Sequence, residues 1–94
     1  MRRVIRVKVV FHEGARRLPP WGLEYSPNIM VDGRCFPGMR FAWLPQSPFG
    51  SQIVCDVELM YEDMGQCYAK FVPGVRFDVA EGSKIVGEGV VLDV

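Results

Sequence analysis

From Ile53 to Tyr61 every second side chain is apolar without a break. Ile53, Cys55, Val57, Leu59 and Tyr61 fall on one side of an extended chain, and Val54, Asp56, Glu58 and Met60 on the other. A period of two belongs to a pleated strand, whose successive side chains point to opposite faces, whereas a helix would scatter those residues around its axis. Arg3 to Phe11 repeats the pattern, with Ile5, Val7, Val9 and Phe11 set against Val4, Arg6, Lys8 and Val10. Met39 to Leu44 does so more briefly, placing Met39, Phe41 and Trp43 opposite Arg40, Ala42 and Leu44. Tyr25 to Val31 reads as a further strand, ended by the turn signal Asp32-Gly33. Near the C-terminus Val75, Phe77 and Val79 alternate with Arg76, Asp78 and Ala80, Glu81-Gly82-Ser83 suits a tight turn, and Ile85 to Val94 returns. Gly87 and Gly89 interrupt that return, so it is expected to bend or split where backbone approaches closely.

Gly and Pro punctuate these runs. Pro19-Pro20 denies the backbone a continuous ladder, and Pro37-Gly38 and Pro73-Gly74 are turn dipeptides. His12 to Gly22 is therefore expected to be a rigid exposed loop with a basic tip at Arg16 and Arg17. On it, Trp21 is either an anchor folded back onto the body or a contact surface, and the anchor is the favoured expectation. Glu62 to Gly65 is expected to form a short hairpin loop from which Gln66 to Val72 returns as a strand. With 49% apolar residues the chain can fill one core, and 94 residues leave no room for a second. Six main short strands in an open sheet would leave two bare edges. An all-β, six-stranded antiparallel closed β-barrel occupying residues 1–94 as a single domain is expected.

The last fifth of the chain carries more than a hairpin. Gly74-Val75-Arg76-Phe77, Glu81-Gly82-Ser83-Lys84 and Val86-Gly87-Glu88-Gly89-Val90-Val91 resemble the closing hairpin of the third, C-terminal domain of the bacterial elongation factor Tu family. There Gly-Leu-Arg-Phe leads through Arg-Glu-Gly-Gly-Arg to Val-Gly-x-Gly-Val-Val. Near the front, Glu13-Gly14-Ala15-Arg16-Arg17-Leu18-Pro19 and Tyr25-Ser26-Pro27-Asn28 are similar to that domain's Glu-Gly-Gly-Arg-His-Thr-Pro and Tyr-Arg-Pro-Gln segments, with one residue inserted between them here. The blocks keep the family's order and nearly its spacing, while Gly33 to Ser51 does not follow its pattern. The resemblance implies the same six-stranded barrel, of Greek-key type, here standing alone.

It also implies a surface. The family's third domain touches the T stem of aminoacyl-tRNA from the loop after its first strand, from the Tyr-x-Pro-Gln segment and from the Glu-Gly turn of its last hairpin. In this chain Arg16 matches the family Arg, Arg17 stands where the family has His, and Leu18 replaces Thr. Asn28 replaces Gln, Glu81 and Gly82 match the Glu-Gly pair, and Lys84 replaces Arg. The same family domain also meets protein, namely its own GTPase domain and an exchange factor.

The formal net charge is zero, but residues 1–17 carry a net +5 and residues 18–94 a net −5. Arg2, Arg3 and Arg6 are expected to share a basic edge with Arg16 and Arg17, unless they only keep a strand edge soluble. Arg16 and Arg17 can pair with phosphates, the Gly82 amide can approach a sugar-phosphate closely, and Asn28 or Glu81 can address a ribose 2′-hydroxyl. The expected function is a non-enzymatic, translation-factor-like module binding structured RNA, a tRNA-like stem, through Arg16, Arg17, Asn28, Glu81, Gly82 and Lys84. The alternative is a protein-binding module that docks a translation factor, a toxin or an enzyme, as an adaptor or immunity-type inhibitor.

Other chemistries lack their residues. No Gly-x-x-x-x-Gly-Lys-Ser/Thr phosphate loop is present, so no nucleotide cofactor is expected. His12 is the sole histidine, and Cys35, Cys55 and Cys67 form no Cys-x-x-Cys pair. Neither a metal site nor a nucleophile system is therefore expected. The cysteines are read as reduced thiols, with Cys55 in the core. Arg6 and Lys8 interrupt the apolar run from Val4 to Phe11, which suits neither a signal peptide nor a membrane span. A cytoplasmic location is expected.

Overall fold

The computed structural model describes residues 3–14 and 16–94. Its strands are β1 (Arg3–Phe11), β2 (Gly22–Tyr25), β3 (Asn28–Val31), β4 (Arg34–Phe36), β5 (Met39–Leu44), β6 (Ile53–Leu59), β7 (Arg76–Glu81) and β8 (Lys84–Asp93). A single 3-10 turn at Glu62–Met64 follows β6, where a hairpin loop was expected. All pairings are antiparallel, and the strands form one sheet in the order β2-β5-β6-β1-β8-β7-β3-β4.

The middle strand β1 is the spine, paired with β6 from Arg3↔Leu59 to Val9↔Ile53 and with β8 on its other side. With a long neighbour on each flank the pleat is held throughout. Ile5, Val7, Val9 and Phe11 are buried, as are Ile53, Cys55, Val57 and Leu59 of β6. Tyr61, expected to continue that inward row, lies beyond the strand and is 42% exposed.

Backbone and side chains approach β8 closely. The core-facing positions opposite Phe11 and Phe77 are Gly87 and Gly89. A Cβ at Gly87 would lie 2.5 Å from the Val10 carbonyl oxygen, and one at Gly89 2.3 Å from Phe77 Cζ. The glycines thus mark the expected close approach, and β8 runs through them without splitting. Opposite Val79 and Ala80 the register shifts, burying Val86 and turning Ile85 outward.

A closed six-stranded barrel does not form. The molecule is an eight-stranded antiparallel sheet curled into a half-barrel, whose end strands β2 and β4 are not paired with each other. The expected strand Tyr25–Val31 breaks at Ser26-Pro27, sending β2 to β5 and β3 to β7 at opposite ends of the ladder. Pro27 has no N–H to donate, and Glu24 takes a left-handed φ of 64°, so the ladder cannot run straight through this corner.

Gln66 to Val72 is not a strand either. Its two large side chains, Tyr68 and Phe71, are three residues apart and both buried, a spacing that a turn can deliver and a pleat cannot. Phe71 N–H donates to the Tyr68 carbonyl (3.0 Å), closing that turn. Burying each ring is worth about 1.5–3 kcal/mol, more than the net gain of about 1 kcal/mol from a ladder hydrogen bond. Tyr68 hydroxyl donates to the Pro37 carbonyl at 2.7 Å, and Phe71 packs edge-on to Phe36 at 5.0 Å. Together they fill the Arg3 end of the core.

Candidate functional site

At the other end, where β1 finishes at Phe11, the loop after β1 meets the β7–β8 turn. Arg16 Nη1 and the Tyr25 hydroxyl both donate to Glu81 Oε2, and Arg16 Nε donates to the Leu18 carbonyl at 2.9 Å. The guanidinium lies 5.7 Å from the Tyr25 ring centroid. Tyr25 in turn stacks on Phe41 at 5.7 Å and meets Phe11 edge-on at 6.0 Å. Burial, reinforced by the Glu81 carboxylate, holds the Tyr25 phenol well above its usual pKa, with Arg16 opposing. Donors and acceptor satisfy one another, so the trio works as a clasp joining loop to hairpin.

The clasp gathers the residues expected to bind RNA. Asn28 pairs with Ala80, next to Glu81, and Glu81 pairs with Lys84 across the Gly82-Ser83 turn, with Gly82 at φ 60°. Arg16, Arg17, Asn28, Glu81, Gly82 and Lys84 therefore converge, although three separate stretches supply them. Their availability differs. Arg16 and Glu81 hold each other, whereas Arg17, Asn28 and Lys84 are exposed and make no side-chain hydrogen bond or ion pair among the described residues.

The basic edge does not extend to this end. Arg3 pairs with Glu62 at 2.9 Å and Arg6 with Asp56 at 3.2 Å, toward the far end of β1. At about 3.3 Å per residue Arg3 lies roughly 26 Å from Phe11. Arg2 lies outside the described residues.

Beside the clasp runs an apolar rim. Leu18 is 69% exposed, Trp21 60%, Leu23 73% and Trp43 57%, and Leu23 faces Trp43 directly across the β2–β5 ladder. Two expectations are corrected here: Trp21 is not an anchor, and Trp43 does not share the core face of Met39 and Phe41. In β5 the buried residues are Met39, Phe41 and Leu44, so the inward phase slips by one residue before the strand ends. Its partner β2 has no strand on its other side and carries Gly22 at φ 92° and Glu24 at φ 64°, so nothing enforces a regular pleat. The adjacency of Trp43 and Leu44, with Pro45 next, was the available signal that alternation fails there.

The two tryptophans alone offer roughly 200–300 Å² of surface. Leu18 and Leu23 add further exposed apolar surface. Arg16, Arg17 and Leu18 line an open depression that joins rim to clasp.

A larger shallow groove of about 600 Å³ lies on the outer face of β1, β8 and β7. Lys8 and Arg76 flank Val90 there, while Asp78 and Glu88 face each other in the next row. The mixed charge and open shape supply none of the apolar enclosure of a small-molecule site. Burial pushes the Cys55 thiol up to about 12, aided by the neighbouring Asp56 and opposed by Arg6. Cys55 is a core residue, as expected. Among the described residues no cluster of three His, Cys, Asp or Glu is placed to hold a metal ion. In comparison with known proteins, no family model matches the chain and no curated protein matches it, so a functional reading of the clasp and rim stands on their geometry.

Proposed function

We propose that this chain is a non-enzymatic protein-docking module, resembling the third domain of elongation factor Tu, whose working surface is the rim of Leu18, Trp21, Leu23 and Trp43. One observation carries the reading: four large apolar side chains are more than half exposed, Leu23 directly across from Trp43, with Leu18 and Trp21 on the stretch leading into β2, which the Arg16–Tyr25–Glu81 clasp holds in place. Tryptophan and arginine dominate the energetics of protein interfaces, and a loop already fixed loses little entropy on binding. A cytoplasmic partner such as a translation factor, a toxin or an enzyme fits this reading.

Structured RNA is the second reading, favoured by the convergence of Arg17, Asn28, Gly82 and Lys84. It is the weaker one because Arg16 and Glu81 are engaged with each other. With Arg17 and Lys84 the cations left unpaired at this end among the described residues, affinity stays near the roughly 10⁻⁴–10⁻⁶ M of non-specific binding. The experiment is retention of partners from a cell lysate on immobilised protein, with nuclease and at raised salt. Under protein docking, the retained species survive both treatments and are lost from the Trp21→Ser/Trp43→Ser variant. Loss on nuclease treatment, together with loss in Arg17→Glu, would move the assignment to RNA.

A further inference from the structure

The groove on the outer face of β1, β8 and β7 sorts its charges by row. Lys8, Val90 and Arg76 stand opposite one another across the three strands, and the next outward row along β8 sets Glu88 opposite Asp78. One row is therefore positive and the other negative. Like charges directly opposite each other destabilise a sheet, whereas interleaved signs would have neutralised them within the chain. That neutralisation is missing here. Lys8, Arg76 and Asp78 make no ion pair among the described residues, and Glu88 meets only His12, at 3.8 Å, a contact that is ionic only when the imidazole is protonated.

We propose that this groove is a second docking site, separate from the rim, for an extended peptide segment that carries an acidic and a basic side chain two residues apart. The two rows are two residues apart along β8, about 6.7 Å, and an extended peptide repeats its own same-face side chains at that interval. Laid along β8, such a segment sets its carboxylate over Val90, with Lys8 and Arg76 each one strand spacing, about 4.8 Å, to the side. Its cation then lies over the Glu88–Asp78 pair. Each charge of the occupant meets two of opposite sign, and the occupant relieves the repulsion within each row. With Asp32 the groove holds three carboxylates against two cations, so a phosphate backbone is disfavoured where a segment of both signs fits. All three strands are paired along these rows, so the site is rigid before binding and contact is made by side chains. The open shape that suits no small molecule leaves an extended chain room to pass.

Backbone amide NMR of the full chain, titrated to about 5 mM with short peptides capped at both ends, tests this. A peptide centred on Glu-Val-Lys is expected to shift the amides of Val90, Glu88 and Asp78 saturably. Glu-Val-Glu, Lys-Val-Lys and Glu-Val-Val-Lys, whose charges are alike or fall on opposite faces, should bind about ten-fold more weakly. Lys8→Gln/Arg76→Gln should weaken Glu-Val-Lys by about the same factor, and Asp78→Asn/Glu88→Gln should abolish its advantage over Glu-Val-Glu. Trp21→Ser/Trp43→Ser should bind it as the parent does, because the groove and the rim lie on different strands. The amide spectrum of each variant shows whether it is folded. No shift in the groove up to about 5 mM, equal binding of the control peptides, or an advantage that survives Asp78→Asn/Glu88→Gln overturns the proposal.

Discussion

The wall made by β1, β8 and β7 and the rim made by β2 and β5 both combine glycine with aromatic residues, to opposite effect. In the wall, Gly87 and Gly89 are required by space, because Phe11, Phe77 and the β1 backbone occupy the volume a side chain would need. At the rim, Gly22 has nothing within 4 Å of a built Cβ and is required only by its φ of 92°. Wall aromatics turn inward because a neighbour on each side holds the pleat. Trp43 turns outward because β5 pairs with β6 only from Met39 to Phe41, so that beyond Phe41 the irregular β2 alone lies alongside it. Exposure of Trp43 thus follows from its position in the sheet more than from its chemistry.

The sharpest check lies within β5. Leu44→Ala is expected to cost about 3 kcal/mol and the adjacent Trp43→Ala no more than about 0.5 kcal/mol, read from urea denaturation midpoints. Equal costs would mean that the inward and outward sides of β5 do not differ as described. Next in size is the glycine contrast. Gly87→Ala should cost about 2 kcal/mol through contact with the Val10 carbonyl, and Gly22→Ala about 1 kcal/mol through φ alone. A reversed order would place the tight approach at the wrong end.

Cys55 offers a third test. Its thiol is raised from 9.0 to about 12 in the folded protein, so the folded state keeps the proton while the unfolded state loses it. That contribution is intact below pH 9 and fades as pH rises toward 12. By pH 10 the loss amounts to roughly 1–2 kcal/mol, which Cys55→Val should remove from the alkaline limb of the stability profile. An unchanged limb would show that the core around β6 is more open to water than the burial of Cys55 indicates.

The smallest effect concerns the clasp between the regions. Glu81→Gln should cost about 1 kcal/mol, hasten tryptic cleavage after Arg16 and Arg17, and lower the Tyr25 phenol toward its usual pKa. Unaltered cleavage would mean that Pro19-Pro20 alone holds the loop.

Legibility divided along the same line. The alternation in Arg3 to Phe11 and Ile53 to Leu59 predicts their buried faces correctly because those strands are flanked on both sides. The Asp32-Gly33 and Gly82 turns were legible because both glycines take positive φ, at 76° and 60°. Tyr25 to Val31 misled because pattern alone does not tell one bent segment from two strands pairing at opposite ends of a sheet. Gln66 to Val72 misled because its two aromatic residues were assigned to a pleat although their spacing is three. Of the candidate site, the convergence of Arg16, Asn28 and Glu81 was foreseen through a family resemblance. Their mutual engagement was not, since whether an arginine faces solvent or a carboxylate 65 positions away is a matter of packing.

By itself the sequence determined that the chain is all-β, where most turns fall, and which residues of its flanked strands make the core. Those properties follow from side-chain period and backbone dihedral preference, which are local. Tertiary structure alone decided that the sheet curls into a half-barrel without closing, that Arg16 is spent on Glu81, and that Trp21 and Trp43 stand in solvent. Each of these depends on which strand lies alongside which, and that is fixed by contacts between residues far apart in the chain.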